Sequence, residues 1–194
     1  MDNLILGLDV SLTSLGWFLQ HDKNKKLLYG TFKTTPKDGI ILKRIILQRD
    51  RFVNLVNEHK IEYLGIEQPF LHAFSTEILY ALHQFILEVC YTRHLKIVYI
   101  TPAQIKIYAV GNHLAPKNEI VFKTKEVLGL TREKINDDAS DAYWVSILAK
   151  KFWSLQHKEI QIDQLSEAEK LIFIKNKSGK PGILYKENDS FFLF

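Results

Sequence analysis

The residues of this chain that could do chemistry are carboxylates standing where carboxylates are costly. Asp9 closes the apolar run Leu4-Ile5-Leu6-Gly7-Leu8, and Glu67 closes a second run from Ile61 to Ile66. Both runs have the makeup of strands buried in a sheet, which puts each acid at a strand's carboxyl end. Three more acids, Asp137, Asp138 and Asp141, open a helical pattern. Their spacing of three and four residues puts Asp141 on one helical face with Asp138 or Asp137. Ala139, Ser140 and Ala142 are small enough to let that turn approach a sheet. Where helical crossovers join parallel strands, the carboxyl ends meet on one edge, and ligands bind there.

Asp9, Glu67 and an acid pair from the helix cannot stand together as bare anions. Two unit charges ~4 Å apart repel by about 4 kcal/mol at an effective dielectric of roughly 20. Hard divalent cations resolve the conflict, because Mg²⁺ takes oxygen ligands, commonly one or two carboxylates plus water and phosphate. Two ions about 4 Å apart suit a phosphodiester, one activating the attacking water and the other stabilising the leaving 3′ oxygen. Asp137, Asp138 and Asp141, each taken alone, equally suit the positive end of a helix dipole. The hydroxyls Ser11, Thr13 and Ser14 and the glycine Gly16 follow Asp9 as a turn into a second apolar stretch at Trp17.

The elements that must position these acids follow from periodicity. After two strands, Lys26 to Thr34 reads as a third, ending at Pro36-Lys37-Asp38-Gly39, so the first three form an antiparallel meander. Ile41, Leu42, Ile45, Ile46, Phe52, Leu55 and Val56 then recur at helical spacing over 40–59, with Lys43, Arg44, Arg49 and Arg51 predicted on a basic outer face. Phe74 to His94 is a helix with apolar residues around much of its circumference. It needs cover on two sides, and the sequence favours a second copy of the chain, a homodimer through helix 74–94, over a wrapping core. Lys96 to Thr101 is a fifth strand. Short helices from Pro102 and Asn118 precede the acidic one, which Asn136 or Asp137 caps and which runs to about Trp153. The order βββαβαβα predicts an α/β fold on a mixed five-stranded sheet, with 1–154 as the main domain and 155–194 as a small C-terminal accessory element. In that extension Ser166-Glu167-Ala168-Glu169 reads as the opening of a short helix, and 171–174, 182–186 and 190–194 as small strands.

Composition narrows the class. With 46% hydrophobic and 25% charged residues the 194-residue chain is an ordinary globular protein. It has no apolar stretch of membrane-spanning length and no secretory leader pattern, so a cytoplasmic protein is expected. One cysteine, Cys90, and scattered histidines leave no structural zinc site. The net charge of +4 is unevenly spread: residues 20–60 hold ten Lys/Arg against four Asp/Glu, and 102–134 hold six against three. A nucleic-acid partner is compatible with that distribution.

Gly7-Leu8-Asp9 with Gly16-Trp17, then Ile66-Glu67-Gln68-Pro69-Phe70, then Asp138-Ala139-Ser140-Asp141-Ala142 resemble, in order and spacing, the RuvC family of Holliday-junction resolvases within the RNase H-like nuclease superfamily. The resemblance covers about residues 1–154. It implies an RNase H-like sheet and a dimer that binds four-way DNA junctions and makes paired nicks with Mg²⁺ or Mn²⁺, leaving 5′-phosphate and 3′-hydroxyl ends. By position, Asp9, Glu67, Asp138 and Asp141 become the catalytic, metal-binding acids, and Asp137 is left to capping. Lys106 and Lys117 match DNA-contacting lysines, and Phe70 matches an aromatic used against unpaired bases. Without the resemblance, both lysines read as surface residues and Phe70 as a core ring. Val10-Ser11-Leu12 replaces the Pro-Gly turn common in bacterial members, and 155–194 has no counterpart in the compact bacterial form. Both features suit a divergent member of phage or virus type, acting in the host cytoplasm.

Three other functions compete. A nuclease of the same fold could cut flaps, forks or RNA–DNA hybrids more broadly. An actin/hexokinase-type ATP-binding domain also begins with an acid and hydroxyls on its first hairpin, but needs a second glycine-rich phosphate loop that this sequence lacks. A non-catalytic DNA scaffold would set uncompensated acids against DNA.

Overall fold

The computed structural model describes residues 4–20, 27–69, 76–130, 135–174, 184–187 and 190–193. The strands β1 (Ile5–Asp9), β2 (Ser14–Gln20) and β3 (Leu28–Lys33) form the antiparallel meander. α1 (Ile41–His59), β4 (Tyr63–Glu67), α2 (Thr76–Thr92) and β5 (Lys96–Ile100) complete the crossover half. Pairing runs β3-β2-β1-β4-β5, with β1, β4 and β5 parallel, which is the expected mixed five-stranded core. α3 (Pro102–Val110), α4 (Lys117–Leu128) and α5 (Asp137–Gln156) follow.

The C-terminal segment joins this architecture. α6 (Glu167–Phe173) buries Ile172 and Phe173 in the core cluster that α5 and α3 share, and β6 (Leu184–Glu187) pairs antiparallel with β5 before β7 (Ser190–Leu193). The predicted strand at 171–174 is instead the end of α6, because Ser166 caps that helix and forms a capping box with Glu169. Among the described residues no helix is long and apolar enough to cross a membrane.

Alternation along the central strands sorts the side chains onto two faces. Leu6, Leu8, Leu64 and Ile66 pack towards α1 and α2, whereas Ile5 and Tyr63 pack with Val145, Ala149 and Trp153 of α5. Gly7 and Gly65 are direct neighbours in the β1–β4 register, and both lie under α5. A Cβ on Gly7 would come within 2.1 Å of the Ala142 carbonyl, and one on Gly16 within 2.2 Å of the Asp138 carbonyl. Two glycines thus let the first turns of α5 lie directly on the sheet.

The outer face of α1 is less basic than its sequence predicts. Arg44 is buried, donating from Nε to Thr34 Oγ1 at 3.1 Å, and Gln48 is buried completely. Ile45, Gln48, Phe52 and Val56 define the inward face, which leaves Leu42 and Ile46 on its flank and Ile41 in the first turn, all exposed.

Candidate metal centre

Asp9 and Glu67 each stand one residue beyond the paired Leu8 and Ile66, at the same end of adjacent parallel strands. Alternation turns both towards α5, because they share a face with Gly7 and Gly65. Asp141 descends on them from the first turns of that helix. One carboxylate oxygen from each of Asp9, Glu67 and Asp141 lies within 4.8 Å of the others. Asp138 stands outside this trio. Its Oδ2 accepts from Ser14 Oγ at 2.5 Å and from Asn136 Nδ2 at 3.2 Å.

The trio is under electrostatic load. Burial, then Asp141 and Asp138, push the Asp9 carboxyl up to about 8. Glu67 is raised well above the usual carboxylate range, by burial and then by Asp9 and Asp141. Asp141 rises to about 6 through burial, reinforced by Asp137 and Asp138 and opposed by Lys117. One buried oxygen, Glu67 Oε2, has no hydrogen-bond partner. A buried acceptor of this kind costs free energy unless something supplies positive charge or a proton. An all-oxygen donor set with an orphaned carboxylate oxygen fits a hard divalent cation.

The lysines are placed unequally. Lys117 Nζ lies 3.5 Å from Asp137 Oδ2 and 3.7 Å from Asp141 Oδ2, with most of its side chain in solvent. Partial burial pulls its ammonium down, but Asp141, Asp9, Asp137 and Glu67 prevail and raise it. Lys106, on α3, lowers Glu67 and Asp141 more weakly. Phe70 lies outside the described residues.

Sequence reasoning misplaced one acid and passed over two polar residues. Asn136 is the cap of α5, its Oδ1 accepting from Ala139 N at 3.1 Å, and Asp137 instead reaches Lys117. Asp137 is the first residue inside the helix, so its side chain is free to serve a neighbouring element. Ser14 carried a signal, a hydroxyl five residues past Asp9, but its partner is 124 residues away. Gln48 carries no such signal, because nothing in helical periodicity marks a buried glutamine that serves backbone carbonyls on other elements.

Comparison with known proteins identifies the family and the fold. The family model for crossover junction endodeoxyribonuclease RuvC matches residues 5–149. The crossover junction endodeoxyribonuclease RuvC of Alkaliphilus oremlandii is 31% identical over 152 residues, covering 74% of this chain and 90% of the relative. That of Alkaliphilus metalliredigens is 29% identical over 151 residues, with the same coverages of 74% and 90%. A structure of Thermus thermophilus RuvC in complex with Holliday junction substrate shares the fold, with a TM-score of 0.64 and 16% identity over 80% of this chain and 96% of that one. These matches leave the ATP-binding reading without support and cover every acid of the site. The chain belongs to the RuvC family of crossover junction endodeoxyribonucleases.

Proposed function

We propose that this protein is a divalent-metal-dependent endonuclease that resolves four-way DNA junctions by paired nicks, leaving 5′-phosphate and 3′-hydroxyl ends. The observation that carries the reading is the trio Asp9, Glu67 and Asp141, with its oxygens inside 4.8 Å and Glu67 Oε2 unpartnered. These acids, joined by Asp138, would hold Mg²⁺, as two ions for which Mn²⁺ substitutes. When bound, the metal supplies the acidity that makes water a nucleophile at neutral pH and stabilises charge on the phosphodiester. The chain's own residues do the rest. β1 and β4 fix Asp9 and Glu67 side by side, and α5 delivers Asp141 over Gly7 and Gly16. Lys117, largely in solvent beside Asp141, is placed to meet a phosphate as the strand enters, and Lys106 and Phe70 extend the DNA contact.

Paired nicks need two such sites. α2 supports a homodimer, because Ile78, Leu79, Tyr80, Phe85 and Leu87 are only partly buried and Tyr91 is exposed. Residues 1–154 form the nuclease unit in this reading, and 155–194 an accessory piece that braces α3 and α5 and widens the sheet. The protein works in the cytoplasm, that of the host if a phage or virus encodes it.

The test is nicking of a mobile four-way junction, a flap, a fork and an RNA–DNA hybrid, with and without Mg²⁺. Symmetric, ligatable nicks on the junction alone are expected, together with a dimer by light scattering. Equal or greater cutting of the flap or hybrid would replace the resolvase reading with that of a broader structure-selective nuclease.

A further inference from the structure

Of the three hydroxyls in the turn after Asp9, Ser14 is the one that touches an acid. Its Oγ donates to Asp138 Oδ2, the same oxygen that Asn136 Nδ2 reaches. What makes this contact more than a local bond is how firmly the turn is held from the opposite side. Gln48, completely buried on α1, donates from Nε2 to the Phe32 carbonyl at 2.7 Å and the Leu12 carbonyl at 3.1 Å, with a longer contact of 3.4 Å to that of Ser11. Thr34, also buried, donates its hydroxyl to the Leu12 carbonyl and its N–H to the Thr13 carbonyl at 3.0 Å. Arg44 in turn donates to Thr34 Oγ1.

The turn is therefore anchored to α1 and β3, while its Ser14 end reaches across to α5. Gly16 closes the same gap two residues later, where nothing larger than hydrogen fits against the Asp138 backbone. Backbone and carboxylate of Asp138 are both set by β2. Asp138 nevertheless stays outside the trio, while it is near enough to raise Asp9 and Asp141. Carboxylates that ligate metals are oriented by hydrogen bonds of this kind, and losing such a partner typically weakens metal affinity about 10–100-fold.

We propose that Ser14 is a positioning residue, whose anchored hydroxyl aims Asp138 as the outlying fourth ligand and so sets the affinity of the weaker of two metal positions. This rests on the reading that the acids bind divalent metal. The trio itself holds the tighter position, which Ser14 does not touch.

Calorimetric titration of the DNA-free protein with Mn²⁺ tests it without reference to activity. The parent should show two classes of ion. Ser14→Ala should weaken the weaker class about 10–100-fold and leave the tighter one in place, and Ser14→Thr, which keeps the hydroxyl, should restore it. On junction DNA, Ser14→Ala should lower kcat with KM unchanged, and the loss should recover as Mn²⁺ is raised. Equal melting temperatures for the variants separate this effect from unfolding. The proposal is overturned if Ser14→Ala titrates like the parent, if both classes weaken together, if the parent binds one class only, or if Ser14→Thr fails to restore binding. Loss of the metal reading itself has a different signature: the parent binds no Mn²⁺, or Asp9→Asn binds as the parent does.

Discussion

Two lysine–carboxylate pairs flank α5, one at each end, and they behave in opposite ways. Near the carboxyl end, Lys151 Nζ meets Glu169 Oε1, while Ser166 donates to Glu169 Oε2 from both its N–H (2.8 Å) and its hydroxyl (2.9 Å). Burial presses that carboxyl upward, but these donors prevail and hold it below the usual glutamate range. At the amino end Lys117 approaches Asp141 only to 3.7 Å and shares itself with Asp137. There burial and the neighbouring acids prevail, and Asp141 rises to about 6. Donors match acceptors at the first pair, whereas negative charge at the second exceeds what the chain supplies. A structural ion pair is complete by itself, and a metal site shows its incompleteness.

Neutralising one acid at each end of α5 separates the two pairs most directly. Asp141→Asn should abolish junction cutting, a fall of about a thousandfold or more if several kcal/mol of metal-derived stabilisation is lost. Asp9→Asn and Glu67→Gln should match it, all three retaining junction binding in Ca²⁺. Glu169→Gln should leave the cutting rate near parental and cost at most about 1 kcal/mol of stability. A Glu169 variant as inactive as Asp141→Asn would mean that the two ends are not different in kind.

Gly7→Ala comes next in size. The new methyl would meet the Ala142 carbonyl and Ser146, so α5 must lift off β1, at a cost of about 1–3 kcal/mol as for other overpacked cores. Its melting temperature should fall by several degrees and the site should loosen with it. An alanine at exposed Gly129, where a Cβ meets nothing within 4 Å, would isolate packing from the strain of its left-handed backbone, since only the latter acts there.

Gly7 also marks how far the sequence could be read. The strands announced themselves through apolar runs that end in an acid, and parallel pairing of β1 with β4 is enough to bring Asp9 beside Glu67. The helix start showed its acids but not their division of labour. Asp137 and Asp138 are adjacent and chemically alike, and only the docking of α5 decides that one faces Lys117 and the other Ser14. Gln48 and Arg44 were illegible for a related reason. Their partners are backbone carbonyls and a threonine on other elements, and helical periodicity cannot distinguish a polar residue bound for such a partner from one bound for water.

The charge excess should also show in the pH dependence of stability. In the unfolded chain Asp9 loses its proton near pH 4, whereas in the folded, metal-free protein it holds it to about 8. Between those values the folded state binds more protons, so stability contributed by this group is present at low pH and lost as pH rises towards 8. Urea unfolding of metal-free protein should show that decline, Asp9→Asn should flatten it, and Mn²⁺ should offset it. Glu169 acts in the opposite sense, contributing stability above the unfolded glutamate pKa that is lost on acidification through its lower folded value. A parental profile without a decline towards pH 8 would mean that Asp9 is not under the load its surroundings impose.

The smallest effect distinguishes the lysines themselves. Lys117 is mostly exposed and beside the cluster, so its ammonium is available to a phosphate, whereas Lys151 is committed to Glu169. Each phosphate contact adds roughly one unit to the slope of log affinity against log salt. Lys117→Ala should therefore weaken junction binding and reduce that slope by about one, measured with a metal-free or Ca²⁺-loaded protein so that cutting does not interfere. Lys151→Ala should leave the slope alone and lower only the melting temperature. If the Lys117 variant kept the parental slope, its contacts with Asp137 and Asp141 would be its whole role, and the two ends of α5 would differ in their acids but not in their lysines.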